Sequence, residues 1–376
     1  MLIELYIFAF ITILYGLFVT IAIIGFGKLK TTIKEFQPIT SEFISIIISA
    51  RNEAKYVTEC IVEINKQNFP KNQYELIFID DASEDNTYDL AYKSLTESGI
   101  NFQITKQTQH KGKKFNLSQA IKQARGTIIV TSDADVLYRH QNWLMYIANY
   151  FNAYSPNMLV MPIDYQTQTS FLTAFQIIEN IALTGVTAGF TGVKKPFLCN
   201  GANLAFKLDA YHAVSGYQSH MHISSGEDVF LMEDLKNLDY KLIHYVLLKE
   251  LIVKTAPVNT IKELLNQRIR WAYKSKSNPN HLNSFAGFII IIANLLVLAL
   301  FIATLKKSVI TPYLLIFVLA KFVFDFLLLF LASNFLGRVK YVWWLIPFEC
   351  IYWLYALIVG IASLFVKPNW KGKKIN

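Results

Sequence analysis

The stretch GTIIVTSDADVLY, residues 126–138, joins an apolar, β-branched run to two aspartates, Asp133 and Asp135. Such a run is typical of a strand that is buried on both faces of a sheet. Because strand residues two positions apart point to the same side, both carboxylates would face one point in space. Two negative charges so close together repel each other unless a cation lies between them. The pattern indicates a site for Mg²⁺ or Mn²⁺, held by these carboxylates together with substrate phosphates.

Similar apolar runs recur through the middle of the chain and alternate with stretches of helical spacing. They are ISIIIS (44–49), ELIFID (75–80), TIIVTS (127–132) and MLVMPI (158–163). Strands that are separated by helices pair in parallel, so the pattern predicts an α/β fold with a doubly wound, mostly parallel, Rossmann-like sheet. In such sheets, ligands bind beyond the carboxyl ends of the strands.

Polar groups follow the predicted strands at this edge. The first run leads into ARNE (50–53), the second ends in DDASEDNT (80–87), and the basic loop QHKGKK (109–114) precedes a predicted helix. A glycine-centred basic loop at a helix start is suited to binding phosphate. Simpler interpretations also exist: a solvated turn for the aspartate pair, a helix cap for the acidic run and a solvated charge run for the loop.

Two more motifs lie further along the chain. SSGEDVFL (224–231) places Glu227 and Asp228 at a predicted helix start, where the helix dipole stabilises anions with or without a catalytic role. QRIRW (267–271) follows a helix start near Asn259 and directly precedes apolar segments. An interfacial arginine and tryptophan belt is the structural alternative for this motif.

Four apolar segments are long enough to span a bilayer: Tyr6–Phe26 and about 285–305, 310–332 and 342–366. Lys28, Lys30 and Lys34 follow the first segment, so the positive-inside rule predicts a retained signal anchor and a cytoplasmic middle region. Three C-terminal crossings would leave the basic tail outside, and a re-entrant or interfacial segment is the alternative. The predicted organisation is an anchor (1–28), a catalytic domain (40–278), a membrane domain of two or three spans (283–366) and a tail (367–376). The protein is expected to be multi-pass in the inner (plasma) membrane.

Charged residues also occur inside the second C-terminal segment. Lys321 and Asp325 are four residues apart, which favours neutralisation along one helix face or packing between helices over a transport role. Glu349 is open to the same interpretations.

The net charge of +9 comes from scattered lysines beside the apolar segments, which favours anionic lipid over nucleic acid as the partner. Cys60, Cys199 and Cys350 lack metal-ligand spacing and indicate a reducing compartment.

With these motifs in order, residues 43–275 resemble a family 2 glycosyltransferase of the GT-A fold. The resemblance is to the membrane-anchored branch that includes cellulose, hyaluronan and poly-N-acetylglucosamine synthases and ceramide glucosyltransferase. The motifs that carry it are SIIISARNE, DDASEDNT, HKGKK, SDAD, CNGAN, GEDVFL and QRIRW. Two departures are Ala50, where many relatives have proline, and Asn116-Leu117-Ser118 in place of Ala-Leu-Asn.

The resemblance implies roles for individual residues. Asp228 would be the catalytic base, and Asp133 and Asp135 would bind the donor diphosphate through Mg²⁺ or Mn²⁺, with Asp135 the direct ligand. The implied donor-binding set is Ala50, Arg51, Glu53, Asp80 or Asp81, Lys113 and Asp133, and the implied catalytic set is Glu227, Asp228, Gln267, Arg268, Arg270 and Trp271.

The expected reaction is inverting transfer of a hexose from a nucleotide diphosphate sugar, with UDP as the expected nucleotide. The acceptor would be a lipid, a lipid-linked group or a growing polysaccharide at the inner membrane face. The alternatives are a processive polysaccharide synthase, a nucleotidyltransferase, or a membrane transport or scaffold protein that only binds nucleotide.

Overall fold

The computed structural model describes residues 2–33, 42–221, 223, 226–275, 280–367, 369–370 and 373–374. The predictions for Lys34, Ser224, Ser225 and Lys371 lie outside these residues. The chain forms two compact units. The sheet unit comprises Leu29–Gln166 and Leu198–Ala256, and the helical unit comprises Met1–Lys28, Thr167–Phe197 and Pro257–Lys374.

The α-helices of the described residues are numbered in chain order. They are α1 (Leu2–Gly27), α2 (Val57–Asn65), α3 (Thr87–Thr96), α4 (Lys113–Gln123), α5 (Trp143–Tyr154), α6 (Phe171–Gly192), α7 (Leu208–Ala213), α8 (Glu227–Asp239), α9 (Ile261–Ser275), α10 (His281–Leu305), α11 (Thr311–Leu336) and α12 (Leu345–Phe365). Short 3₁₀ turns are found at Lys71–Gln73, Gln218–His220, Tyr240–Leu242, Lys249–Leu251 and Val339–Trp344.

The described strands form three sheets. They are β1 (Ile44–Ala50), β2 (Tyr74–Asp80), β3 (Asn101–Lys106), β4 (Ile128–Ser132), β5 (Leu137–Tyr138), β6 (Met158–Val160), β7 (Ile163–Tyr165), β8 (Asn203–Lys207), β9 (Ile243–Tyr245), β10 (Val253–Thr255), β11 (Asn369–Trp370) and β12 (Lys373–Lys374). The main sheet has the order β3-β2-β1-β4-β8-β6-β9, a smaller sheet has the order β5-β10-β7, and β11 pairs with β12.

The main sheet confirms the predicted α/β class. β1 pairs in parallel with β2 on one side and with β4 on the other, while β8 is antiparallel to both of its neighbours. Along the chain, β2 and β3 are added on one side of β1, and β4 is then added on its other side. This change of direction creates a crevice at the carboxyl ends of β1 and β4. Ala50, Asp80 and Ser132 end the three strands around this crevice.

The prediction of one buried strand over MLVMPI is wrong. Met158–Val160 and Ile163–Tyr165 are separate strands in different sheets, and the first is antiparallel to β8. Pro162 lies between them, and because proline has no N–H it interrupts a ladder. Its carbonyl instead accepts a hydrogen bond from Asn203 Nδ2 at 2.8 Å.

In the helical unit, α1 packs against α6 through glycine. A Cβ atom on Gly189 would lie 2.2 Å from the carbonyl oxygen of Ala22, and one on Gly192 would lie 1.9 Å from that of Gly25. Neither atom fits, so the two backbones are in direct contact, an arrangement typical of helices packed in lipid. Stretches 167–197 and 257–275, which the sequence places inside residues 40–278, belong to this unit because their apolar faces pack on the other helices.

Five of the described helical segments are long and apolar enough to cross a membrane. They are Leu2–Gly27, Phe171–Gly192, His281–Leu305, Thr311–Leu336 and Val339–Phe365. Four of them match the spans predicted from the sequence, and the fifth, Phe171–Gly192, was not predicted.

This fifth segment is α6. It lies between β4 and β8 in the chain, and because these two strands pair with each other, a single crossing by α6 would separate them. We conclude that α6 does not make a single crossing.

The charged residues of α11 form a cluster that includes other helices. Lys321 Nζ lies 2.8 Å from Asp325 Oδ2 and also pairs with Glu349 of α12. The Tyr15 hydroxyl of α1 donates to Asp325. The pair thus neutralises itself along one helix face and also joins α1, α11 and α12.

Candidate active site

Asp81, at the end of β2, binds the basic loop. Its carboxylate accepts hydrogen bonds from the backbone N–H groups of Lys111 at 2.7 Å and Gly112 at 3.0 Å, and it lies 2.6 Å from His110 Nδ1. Gly112 has a φ of 97°, a conformation that favours glycine, and it immediately precedes α4. The side chain of Asp81 therefore serves to shape the predicted phosphate-binding loop.

Asp80 differs from Asp81 because only one of its two carboxylate oxygens has a hydrogen-bond partner among the described residues. Oδ2 accepts from the Ser83 N–H at 3.1 Å, whereas Oδ1 is buried and has no hydrogen-bond partner among the described residues. A buried carboxylate oxygen without a donor is rare in a native protein. Asp80 thus retains an acceptor for a ligand N–H or O–H group.

The segment after β1 is bonded to the acidic run after β2. Arg51 Nη1 donates to the carbonyl oxygens of Asp81 at 2.9 Å and Ala82 at 2.7 Å. The Glu53 N–H donates to Thr87 Oγ1 at 2.7 Å. Ala50 is buried at the strand end. The predicted nucleotide-binding segments are therefore held together as one wall of the crevice.

The two aspartates of the D-x-D motif lie in the turn between β4 and β5. Asp133 forms an ion pair with Lys113 of α4, and Asp135 Oδ2 accepts a hydrogen bond from Thr255 Oγ1 of β10 at 2.7 Å.

The same two aspartates affect the buried Cys60. Burial raises the pKa of the Cys60 thiol, and the negative charges of Asp135 and Asp133 raise it further. Both carboxylates thus act on one buried sulfur atom.

The Glu227-Asp228 pair begins α8, as predicted. Asp228 Oδ2 accepts a hydrogen bond from the Gly201 N–H at 3.0 Å, and Lys113 Nζ lies 3.8 Å from Glu227 Oε1. A Cβ atom on Gly201 would lie 3.6 Å from both Asp228 Oδ2 and Lys113 Nζ, so the three groups surround one small space. The glycine of CNGAN leaves that space open.

Lys113 is the cation at the centre of this arrangement. Burial lowers the pKa of its ammonium group, but the negative charges of Asp133, Glu227 and Asp228 outweigh that effect and leave the pKa raised. The group therefore stays protonated at neutral pH. The structure thus brings a predicted metal ligand, Asp133, and the predicted base, Asp228, close to one positive charge, although they are far apart in the sequence.

Removing this charge should destabilise the fold. In Lys113→Met, the carboxylates lose their counterion, and we expect the free energy of unfolding to fall by about 2 kcal/mol, since buried charges depend on their partners. Mn²⁺ can replace the missing charge, so it should raise the melting temperature of the variant more than that of the wild type. Lys122→Met, on the exposed end of the same helix, is the control for thermal unfolding. An equal response to Mn²⁺ in all three proteins would contradict this role of Lys113.

The donor set fits a divalent cation that a ligand helps to hold. No group of three or more histidine, cysteine, aspartate or glutamate side chains in the described residues could bind an ion alone. Two carboxylates at a strand end are what Mg²⁺ or Mn²⁺ uses when substrate phosphates supply further oxygens. Asp133 and Asp135 would hold such an ion.

QRIRW lies inside α9, in the helical unit. The helix begins with a capping box in which the Thr260 N–H donates to Glu263 and the Glu263 N–H donates to Thr260 Oγ1, both at 3.2 Å.

Arg268 of this motif is buried. Its Nη2 pairs with Glu179 of α6 at 2.6 Å, and its guanidinium lies 4.3 Å from the centre of the Trp271 ring. Gln267 contacts Arg268. These contacts favour a positioning role for Arg268 over contact with substrate, while the roles of Gln267, Arg270 and Trp271 stay predictions.

Glu179 should be essential for the stability of this arrangement. Tyr355 of α12 also donates to Glu179, at 2.7 Å. In Glu179→Gln, Arg268 keeps its charge without a counterion, and a loss of about 3 kcal/mol in unfolding free energy is expected. The double variant Glu179→Met, Arg268→Met removes both charges and should melt closer to the wild type. A double variant that melts below the single one would refute this account.

Three residues at or near the site were not predicted from the sequence. Glu179 is an isolated acidic residue in an apolar helix, which is a usable signal. Gly201 lies in a motif that was noted, but its hydrogen bond to Asp228 joins residues 27 positions apart. Thr255 carries no signal of its own, because an isolated threonine at a strand end is common.

Comparison with known proteins identifies the sheet unit. The family model for Glycosyl transferase family 2 matches residues 45–212. A dolichyl N-acetyl-α-D-glucosaminyl phosphate 3-β-D-2,3-diacetamido-2,3-dideoxy-β-D-glucuronosyltransferase of Methanococcus voltae is 36% identical over 27% of this chain and 32% of its own. A poly-β-1,6-N-acetyl-D-glucosamine synthase of Staphylococcus epidermidis is 24% identical over 66% of this chain and 57% of its own. This chain thus spans less than two thirds of either relative.

Among solved structures, the chain is similar to a mannosyltransferase from Pyrobaculum calidifontis in complex with GDP-mannose and Mn²⁺. The TM-score is 0.57 at 16% identity, and the match covers 96% of this chain and 97% of the other. A likeness at this identity concerns the fold, and it agrees with the mostly parallel sheet. Residues 45–212 of this chain therefore match the Glycosyl transferase family 2 model, and the chain has the mostly parallel fold of GT-A glycosyltransferases.

Proposed function

We propose that this protein is an inverting glycosyltransferase that moves a hexose from a nucleotide diphosphate sugar, with UDP as the nucleotide, to a lipid or lipid-linked acceptor. The observation that carries the proposal is the position of Lys113. Its ammonium group pairs with Asp133 of the D-x-D motif and lies beside Glu227 and Asp228. A donor diphosphate at the motif would thus lie within reach of the Asp228 carboxylate.

In the proposed reaction, Ala50, Arg51, Glu53, Asp80 and Asp81 form the nucleotide side of the crevice, and Asp80 Oδ1 accepts a hydrogen bond from the base or ribose. Asp133 and Asp135 hold Mg²⁺ or Mn²⁺. When bound, the cation supplies positive charge against the departing diphosphate. Lys113 adds a second positive charge on the same side.

Asp228 is the proposed general base. It removes the proton from an acceptor hydroxyl that attacks the anomeric carbon from the face opposite the diphosphate. The Gly201 N–H donates to Oδ2 at 3.0 Å and the Val229 N–H donates to Oδ1 at 2.9 Å, and these two bonds fix the orientation of the carboxylate. A single displacement inverts the anomeric carbon, so no protein nucleophile is needed. Glu227, Gln267, Arg270 and Trp271 are proposed to position the acceptor and the diphosphate.

The apolar helices support a place in the inner membrane with the sheet unit in the cytoplasm. Lys28 and Lys30 follow α1, as the positive-inside rule requires for that orientation. The lipid-linked acceptor named for the Methanococcus voltae relative is consistent with this arrangement. A processive polysaccharide synthase is the second candidate, because the match to the Staphylococcus epidermidis synthase extends over 66% of the chain.

The product released from nucleotide sugars tests the proposal. Purified protein with membrane lipids should release nucleoside diphosphate from one member of a panel of UDP- and GDP-sugars, and only with Mn²⁺ or Mg²⁺ present. Release of sugar 1-phosphate would indicate a nucleotidyltransferase, because transfer of the nucleotidyl group breaks the bond between the two phosphates. No turnover of any donor would indicate a transport or scaffold protein. The length of the attached glycan separates single transfer from processive synthesis.

A further inference from the structure

The helical unit contains a cavity of about 480 Å³ at the start of α6. This volume is in the usual range for sites that bind small molecules. One wall consists of residues 167–170, and another consists of Lys340, Tyr341 and Trp344 from the turn between α11 and α12. Phe171 and Ala174 of α6 also line the cavity.

The cavity has a polar part and an apolar part. Thr167, Gln168, Thr169 and Ser170 supply hydroxyl and amide groups, all on exposed residues. The apolar part is rigid, since the Phe171 ring packs edge to face on Trp344 at 5.8 Å and on Phe348 at 4.9 Å. A ligand that fits both parts is itself amphipathic.

Two cations lie near one aromatic ring at this cavity. Lys340 Nζ is 5.4 Å from the centre of the Tyr341 ring, and the Arg338 guanidinium is 5.6 Å from it. Arg338 is buried and donates to Thr167 Oγ1 at 2.6 Å, so it joins the two walls. Lys340 is exposed, and none of the described lining residues is acidic. The charge at the cavity therefore favours an anion.

The position of the cavity along the chain indicates where that anion comes from. Residues 338–344 lie between α11 and α12, and residues 339–344 form the first part of the candidate membrane span Val339–Phe365. Such a connection lies at the level of the lipid headgroups, where basic and aromatic residues are enriched.

We propose that this cavity binds the phosphate-bearing headgroup of a membrane lipid. Lys340 pairs with the phosphate, the side chains of residues 167–170 bind its oxygens and the glycerol, and Phe171 and Trp344 contact the first part of an acyl chain. The inference rests on the proposed function in one respect, that the helical unit lies in a membrane.

Lipid binding to the full-length protein in a neutral detergent tests the site. Native mass spectrometry would compare dioleoylphosphatidylglycerol with dioleoylglycerol, which lacks the phosphate. The phosphate lipid should bind at least tenfold more tightly. Lys340→Gln should weaken its binding about fivefold, since a basic residue near an anionic headgroup contributes about that factor. Lys340→Arg should keep the affinity.

The control variant is Lys28→Gln, which changes an exposed lysine of the helical unit outside the cavity. It should bind the lipid as the wild type does. Equal affinity for the two lipids, an unchanged affinity in Lys340→Gln, or displacement of the lipid by millimolar inorganic phosphate would overturn the proposal. UDP binding in the same samples tests the proposed function separately. Intact UDP binding without lipid selectivity would refute only the headgroup site, and the reverse result would refute only the transferase proposal.

Discussion

Asp228→Asn should bind the donor with nearly unchanged affinity and turn it over at least about 10²-fold more slowly, which is the usual scale for the loss of a general base. The amide has the shape of the carboxylate and can still accept the Gly201 hydrogen bond, although it loses the one that Asp228 Oδ1 accepts from the Val229 N–H. The asparagine should therefore keep the place of the aspartate at the start of α8. It cannot take a proton from the acceptor hydroxyl. Calorimetric titration with UDP measures donor binding, and nucleoside diphosphate release measures turnover.

The matched control for this variant is Asp234→Asn, on the same helix. Asp234 pairs with His220 at 3.0 Å and has no predicted role in the reaction. It should keep its turnover within a few-fold of the wild type. Full activity in Asp228→Asn would remove Asp228 from the mechanism, and equal losses in both variants would point to a structural effect on α8.

Asp135→Ala should abolish metal-dependent binding of the donor and lower turnover by about 10³-fold, because a bound cation contributes several kcal/mol to stabilisation of the leaving diphosphate. The substitution removes one of two carboxylates at the strand end, and the described residues provide no other acidic cluster to replace it. Calorimetric titrations with UDP, with and without Mn²⁺, measure the effect.

Thr255→Val provides a graded comparison. It removes the hydroxyl that donates to Asp135 Oδ2 at 2.7 Å but leaves the carboxylate in place. Groups that orient a metal ligand commonly change affinity by about tenfold or more, so Mn²⁺ dependence should shift by about tenfold without disappearing. Donor binding in Asp135→Ala that still responds to Mn²⁺ like the wild type would show that this carboxylate is only structural.

The central strands were predictable from the sequence because both of their faces are buried. β1, β2 and β4 match the runs ISIIIS, ELIFID and TIIVTS to within a residue or two. β3 was missed because NFQITK is a half-exposed edge strand with alternating polar residues. α6 was missed because Gln176, Glu179 and Asn180 lower the hydropathy of an otherwise apolar helix.

The carboxyl edge of the sheet was predictable for a topological reason. Parallel strands end at one edge, so Asp80, Asp81 and Asp133 had to lie there together. The contact of Lys113 with Glu227 was not predictable from the sequence pattern, because it depends on where the chain places the start of α8 relative to the sheet. The same holds for the pairing of Arg268 with Glu179, which joins residues 89 positions apart.

The most direct measurement for the central claim is the anomalous-scattering signal of Mn²⁺ in crystals of the full-length protein grown with UDP. A single peak is expected at about 2.1 Å from a carboxylate oxygen of Asp135 and from diphosphate oxygens, by analogy with the bond lengths of Mg²⁺. Asp228 should face the open side of the diphosphate. A peak held by other side chains, or bound UDP with no ion near residues 133–135, would contradict the account.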